Sequence, residues 1–77
     1  MARAPKTAEV VAEMVANVMK VVVSPGERLA AGDPVVLLES MKMEIPVLTE
    51  TGGTVTSVKV SAGDVVQEGD VLVTLDL

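Results

Sequence analysis

Lys42 sits in the run Glu39-Ser40-Met41-Lys42-Met43-Glu44, a primary amine between two thioethers with a carboxylate beyond each of them. A lysine amine ordinarily titrates near 10.4, so at pH 7 about one in a few thousand is neutral and nucleophilic. The rest of the chain offers little else that reacts. It has no cysteine and no histidine, which removes disulfides, thiolate nucleophiles, the usual metal ligands and the usual neutral-pH base together. Without tyrosine as well, the acid-base groups are scattered carboxylates and lysines, and neither a catalytic centre nor a metal site is expected. A lone lysine in a turn is ordinarily a solvated surface residue; two flanking methionines are not ordinary turn residues. Met41 and Met43 read either as fillers of a core or as an exposed recognition pair.

The elements that must position this run are strands. The 77 residues make one small domain, which buries about 60% of its unfolded surface and has room for one core. Apolar residues make up 49% of the chain and 17 of them are valine, with no aromatic residue at all, so the core is built from branched aliphatic side chains that favour strands. Apolar runs of three to five residues alternate with the turn signals SPGE at Ser24, AGDP at Ala31, TGGT at Thr51, AGD at Ala62 and EGD at Glu68. The last run, VLVTLDL, puts Val71, Val73, Leu75 and Leu77 on one face, with Thr74 and Asp76 on the other. PVVLLE, from Pro34, is apolar on both faces and is expected to lie deeper. Residues 1–8 lack periodicity and are expected to be a flexible tail, leaving 9–77 as the domain.

Sliding the chain over itself by 37 positions lays Val18–Glu39 on Val55–Asp76 with nine of 22 pairs identical, among them Gly26 with Gly63, Gly32 with Gly69 and Asp33 with Asp70. Chance would give about one or two. Two copies are too few for a solenoid, so the expectation is an all-β fold in which two small sheets face each other about a pseudo-two-fold axis. The copies end at Glu39 and Asp76, which makes Ser40–Glu44 the junction between them and places Lys42 at a turn far from both chain ends.

The stretch ESMKMEIP, Glu39–Pro46, resembles the attachment hairpin of the biotinyl/lipoyl carrier family in its biotinyl form. The flanking glycine-aspartate pattern resembles the same domain from about Val10 to Leu77, closest to the small free-standing biotin/lipoyl attachment proteins. The resemblance implies a flattened eight-stranded β-barrel (a barrel-sandwich hybrid) of two four-stranded sheets with Lys42 at an exposed hairpin tip. It implies covalent biotin on Lys42, attached by biotin protein ligase, with Glu39, Met41, Met43 and Glu44 in the ligase's footprint. It also implies service to biotin carboxylase and carboxyltransferase components, between which the biotin arm carries carboxyl groups. Lipoyl carriers of this fold typically show Asp-Lys-Ala around the lysine, which Met41-Lys42-Met43 does not match. The alternatives are a lipoyl carrier and an unmodified scaffold or binding module.

The chain departs from the family pattern at Met14–Val18, where Val15 and Ala16 stand in place of a proline and a glycine, and the protruding thumb of some bacterial acetyl-CoA carboxylase carriers is missing. A formal net charge of -5, with four lysines and two arginines scattered along the chain, argues against a nucleic-acid partner. Lys6, Glu9 and Glu13 interrupt any signal-like core, and no apolar run approaches membrane-spanning length. A cytoplasmic monomer acting in trans with its carboxylase is the expectation, with the acceptor substrate left open.

Overall fold

The computed structural model describes residues 6–77. Eight strands follow one another: β1 (Thr7–Val11), β2 (Ala16–Val21), β3 (Arg28–Leu29), β4 (Pro34–Ser40), β5 (Met43–Leu48), β6 (Gly53–Val58), β7 (Val65–Val66) and β8 (Val71–Asp76). They form two four-stranded antiparallel sheets, ordered β1-β8-β6-β3 and β5-β4-β2-β7. Adding 37 to a residue number carries the first half of the chain onto the second and each sheet onto the other. The hydrogen bonds obey the same operation. Gly26 N–H donates to Val55 C=O at 2.7 Å and Gly63 N–H to Val18 C=O at 2.8 Å, while Gly32 N–H donates to Thr49 C=O at 2.7 Å and Gly69 N–H to Ala12 C=O at 2.8 Å.

The repeated turns follow from the Gly-Asp and Gly-Glu pairs. Gly26, Gly32, Gly63 and Gly69 have φ between 92° and 96°, and a Cβ at any of them would meet nothing within 4 Å. Glycine is therefore required there for its backbone angle, as the third residue of a type II turn, and not for space. The next residue closes each turn twice. Asp64 N–H donates to Ser61 C=O at 3.0 Å and its carboxylate accepts the Ser61 N–H at 2.8 Å; Glu27, Asp33 and Asp70 repeat the arrangement.

One core lies between the sheets, and Val35, Val36, Leu38, Val55, Val66, Leu72, Val73 and Leu75 are its largest fully buried apolar side chains. Burial of each such side chain contributes roughly 1.5–3 kcal/mol, so valines and leucines suffice without aromatic residues. Val35 and Val36 are both fully buried because the register of β4 with β5 skips Val35; Leu72 and Val73 are both buried because β8 skips Leu72 against β1. These are β-bulges, each admitting one extra inward residue.

Two boundaries differ from the sequence reading. Thr7 and Ala8, assigned there to the tail, pair with Asp76 and Leu75 as the start of β1, whereas residues 1–5 of that tail lie outside the described residues. Leu77, expected inward with Leu75, is 57% exposed; it lies one residue beyond the end of β8, past the covered core, although its N–H still donates to Lys6 C=O at 2.9 Å. At the departure from the family pattern, Ala12–Val15 link β1 to β2 through a bend at Glu13 and Met14.

Candidate functional site

The central position of β4 sets up the hairpin. It is the longest strand and lies between β5 and β2 in its sheet, with Val36 and Leu38 in the core. On its other side β5 pairs with it through six residue pairs, ending at Glu39 with Glu44 and Ser40 with Met43. That register leaves two residues for the turn, Met41 and Lys42. Their φ angles are 53° and 66°, the sign that a two-residue type I′ hairpin demands at both central positions and that Asn-Gly normally supplies. For two residues with long side chains the left-handed region costs on the order of 1–2 kcal/mol each. The two strands beneath hold them in it, and strain of this kind gathers at functional sites.

The turn lifts its side chains clear of the core. Lys42 is exposed, Met41 is 91% exposed and Met43 is 62% exposed, which settles the choice between core filler and surface pair in favour of the surface. Glu39 and Glu44, brought opposite one another by the register, are half-buried and exposed respectively. Like charges directly opposed across strands weaken the pairing by roughly 0.2–1 kcal/mol, so this pair is not there for stability. In the symmetry-related place Thr7 faces Asp76. The site residues expected from the sequence thus gather at one hairpin end, Glu39 and Glu44 on the strands and Met41, Lys42 and Met43 at or beside the turn.

The sequence reading missed the backbone conformation, since a left-handed pair without glycine or asparagine carries no composition signal. It also missed a break in symmetry on the outer faces. In the sheet of β6 and β8, Thr56, Ser57 and Thr74 join hydroxyls at 2.7 Å. Their counterparts in the hairpin's sheet are Met19, Lys20 and Leu37, which leave that face more apolar, with Met19 39% and Leu48 50% exposed.

A groove of about 640 Å³ runs between β1 and β5, floored by Val10, Val11, Ile45 and Val47, but no residue from Glu39 to Glu44 lines it. The hairpin tip therefore stands apart from that groove. Among the described residues no group of three or more acidic side chains could hold a metal ion, and no helix is long and apolar enough to cross a membrane.

Known proteins resemble the chain in sequence and in fold. The chain is 58% identical over 64 residues to the biotinylated protein TB7.3 homolog of Mycobacterium leprae (strain TN), covering 83% of this chain and 90% of that one. It is 48% identical over 63 residues to the biotin/lipoyl attachment protein of Bacillus subtilis (strain 168), covering 82% and 86%. In three dimensions it superposes on the Kluyveromyces lactis urea carboxylase with a TM-score of 0.86 at 27% identity, covering 97% of this chain and 7% of that one. The Biotin_lipoyl family profile, described as "Biotin-requiring enzyme", matches residues 2–75, and the chain belongs to that family.

Proposed function

We propose that this chain is a biotin carboxyl carrier: Lys42 Nζ is acylated by a biotin protein ligase, and the arm so formed serves the biotin carboxylase and carboxyltransferase components of a biotin-dependent carboxylase in trans. The observation that carries this reading is the turn itself, in which an exposed lysine occupies the second left-handed position with an exposed methionine on either side. Covalent biotin asks the chain for a reachable amine with open space around it, and an exposed residue on a two-residue turn meets that requirement. The biotinylated relative from M. leprae supports biotin over the lipoyl alternative.

In the attachment step the neutral Nζ attacks the acyl carbon of an activated biotin, an amide bond forms, the activating group leaves with its bonding electrons, and the nitrogen gives up one proton to the ligase or solvent. The ligase supplies the activated acyl donor and removes the proton, because the chain has no histidine and no cysteine to do so. When bound, biotin supplies a ureido nitrogen that can accept and release a carboxyl group. The chain's own contribution is positional. The β4–β5 register fixes where Nζ emerges, and Met41, Met43, Glu39 and Glu44 form the surface that ligase and carboxylase meet. A tether of this kind replaces free diffusion by an effective concentration on the order of millimolar.

The carrier acts as a monomer in the cytoplasm on this reading. Two of the four sheet edges, β3 and β7, are two residues long, and the β5 edge contains Pro46, which has no N–H to offer a neighbouring strand. Intact-mass analysis of the protein from its native cell, with peptide mapping and a Lys42→Arg control, tests the assignment. One biotinyl group confined to Lys42 is the expected result. A lipoyl group there would overturn the biotin assignment, and no adduct in cells with an active ligase would overturn the carrier reading.

A further inference from the structure

With no cysteine, tyrosine or tryptophan, the readily oxidised side chains are the five methionines. The described methionines are unequally accessible. Met14 is 36% exposed and Met19 39%, against 62% for Met43 and 91% for Met41. The two most exposed of the described methionines are the immediate neighbours of Lys42, and the β4–β5 register that fixes the turn keeps them at the tip with it. A fully solvated methionine gains nothing for the fold, and a thioether this open is the form most susceptible to peroxide.

We propose that Met41 and Met43 are a reversible oxidation site that governs acylation of Lys42. The oxidant is a hydroperoxide. Its O–O bond breaks, one oxygen is transferred to the thioether lone pair, the sulfur is oxidised by two electrons to the sulfoxide, and the other oxygen leaves as water or an alcohol. The product is a strongly polar group where a soft apolar one stood. Any partner that delivers an acyl donor to Lys42 Nζ covers the residues on either side of it, and burying a sulfoxide there without a hydrogen-bond partner opposes docking. Reductases specific for methionine sulfoxide reverse the change. The effect on acylation rests on the carrier reading above; the site of oxidation does not.

The test treats the whole chain with dilute hydrogen peroxide, quenches it, maps the sulfoxides by mass spectrometry, and then measures biotin transfer by an untreated ligase. Exposure alone predicts that Met41 oxidises roughly two to three times faster than Met14 or Met19. Transfer is expected to fall by about tenfold or more, as for the loss of a central apolar contact, and to recover after sulfoxide reductase treatment. In a Met41→Leu/Met43→Leu double variant the treated-to-untreated ratio of transfer rates should stay near one, whatever its starting rate. Even oxidation of all methionines, or unchanged transfer to the oxidised protein, would overturn the proposal while leaving the carrier reading intact. If the untreated chain takes no biotin from an active ligase, the carrier reading fails and takes the proposed control of acylation with it.

Discussion

Replacing Met41 with asparagine separates the conformational demand of the turn from its chemistry. Met41 has φ 53° and is 91% exposed, so its removal forfeits almost no packing and the backbone term decides the sign. An L-residue in the left-handed region costs about 1–2 kcal/mol, and asparagine, whose short amide bonds locally, tolerates that region far better than methionine. If half of the cost is relieved, Met41→Asn stabilises the domain by about 0.5–1 kcal/mol. For a domain of this size 1 kcal/mol moves Tm by roughly 4–8 °C, so a rise of about 2–8 °C is expected. Thermal unfolding followed by circular dichroism at fixed pH and protein concentration measures it. Biotin transfer to Lys42 in the same variant should fall, because the thioether has gone. An unchanged or lowered Tm would refute the claim that the turn stores strain, and undiminished transfer would refute a recognition role for Met41.

Other perturbations probe the frame beneath the turn. Leu38→Ala, at a position 1% exposed in the core beneath the hairpin, should cost about 2–5 kcal/mol and leave so small a domain near its unfolding threshold, read as a collapse of the denaturant midpoint. In Gly53→Ala the new Cβ would sit 2.5 Å from the Asp76 carbonyl oxygen; the resulting overpacking should cost about 1–3 kcal/mol in the same assay. Asp64→Ala removes the carboxylate that accepts the Ser61 N–H at 2.8 Å and should cost about 0.5–1.5 kcal/mol, with transfer to Lys42 unaffected. Lys42→Arg should abolish the biotinyl adduct while altering stability by no more than about 0.5 kcal/mol, since a long, exposed side chain replaces another.

Reading the sequence alone located the repeat, the strand-forming character, the glycine turns and the one lysine whose neighbours are out of place in a loop. These are legible because each is bound to a local physical requirement. Positive φ restricts Gly26, Gly32, Gly63 and Gly69 to one residue type, and the turn's exposed N–H selects a carboxylate after each of them. Where that requirement lapses, the repeat vanishes from the sequence. Residues 6–17 and 43–54 occupy equivalent places in the two halves, yet two of the 12 pairs are identical, Val10 with Val47 and Glu13 with Glu50. β1 and β5 are edge strands with one paired side, and many side chains satisfy that environment.

Other features are set by register and emerge once the strands are paired. The bulges at Val35 and Leu72 turn two consecutive residues inward where alternation would bury one, and hydrogen-bond pairing with the neighbouring strand creates them, not the residue types. The left-handed angles at Met41 and Lys42 have the same origin. Pairing Ser40 with Met43 leaves two residues to reverse the chain, and that closure imposes the geometry on side chains that resist it. Residue order is enough to say which residue carries the amine and which thioethers flank it. The pairing of β4 with β5 determined that all three stand together in water at the end of a rigid hairpin, because a side chain's exposure depends on the strand register beneath it and not on its own chemistry.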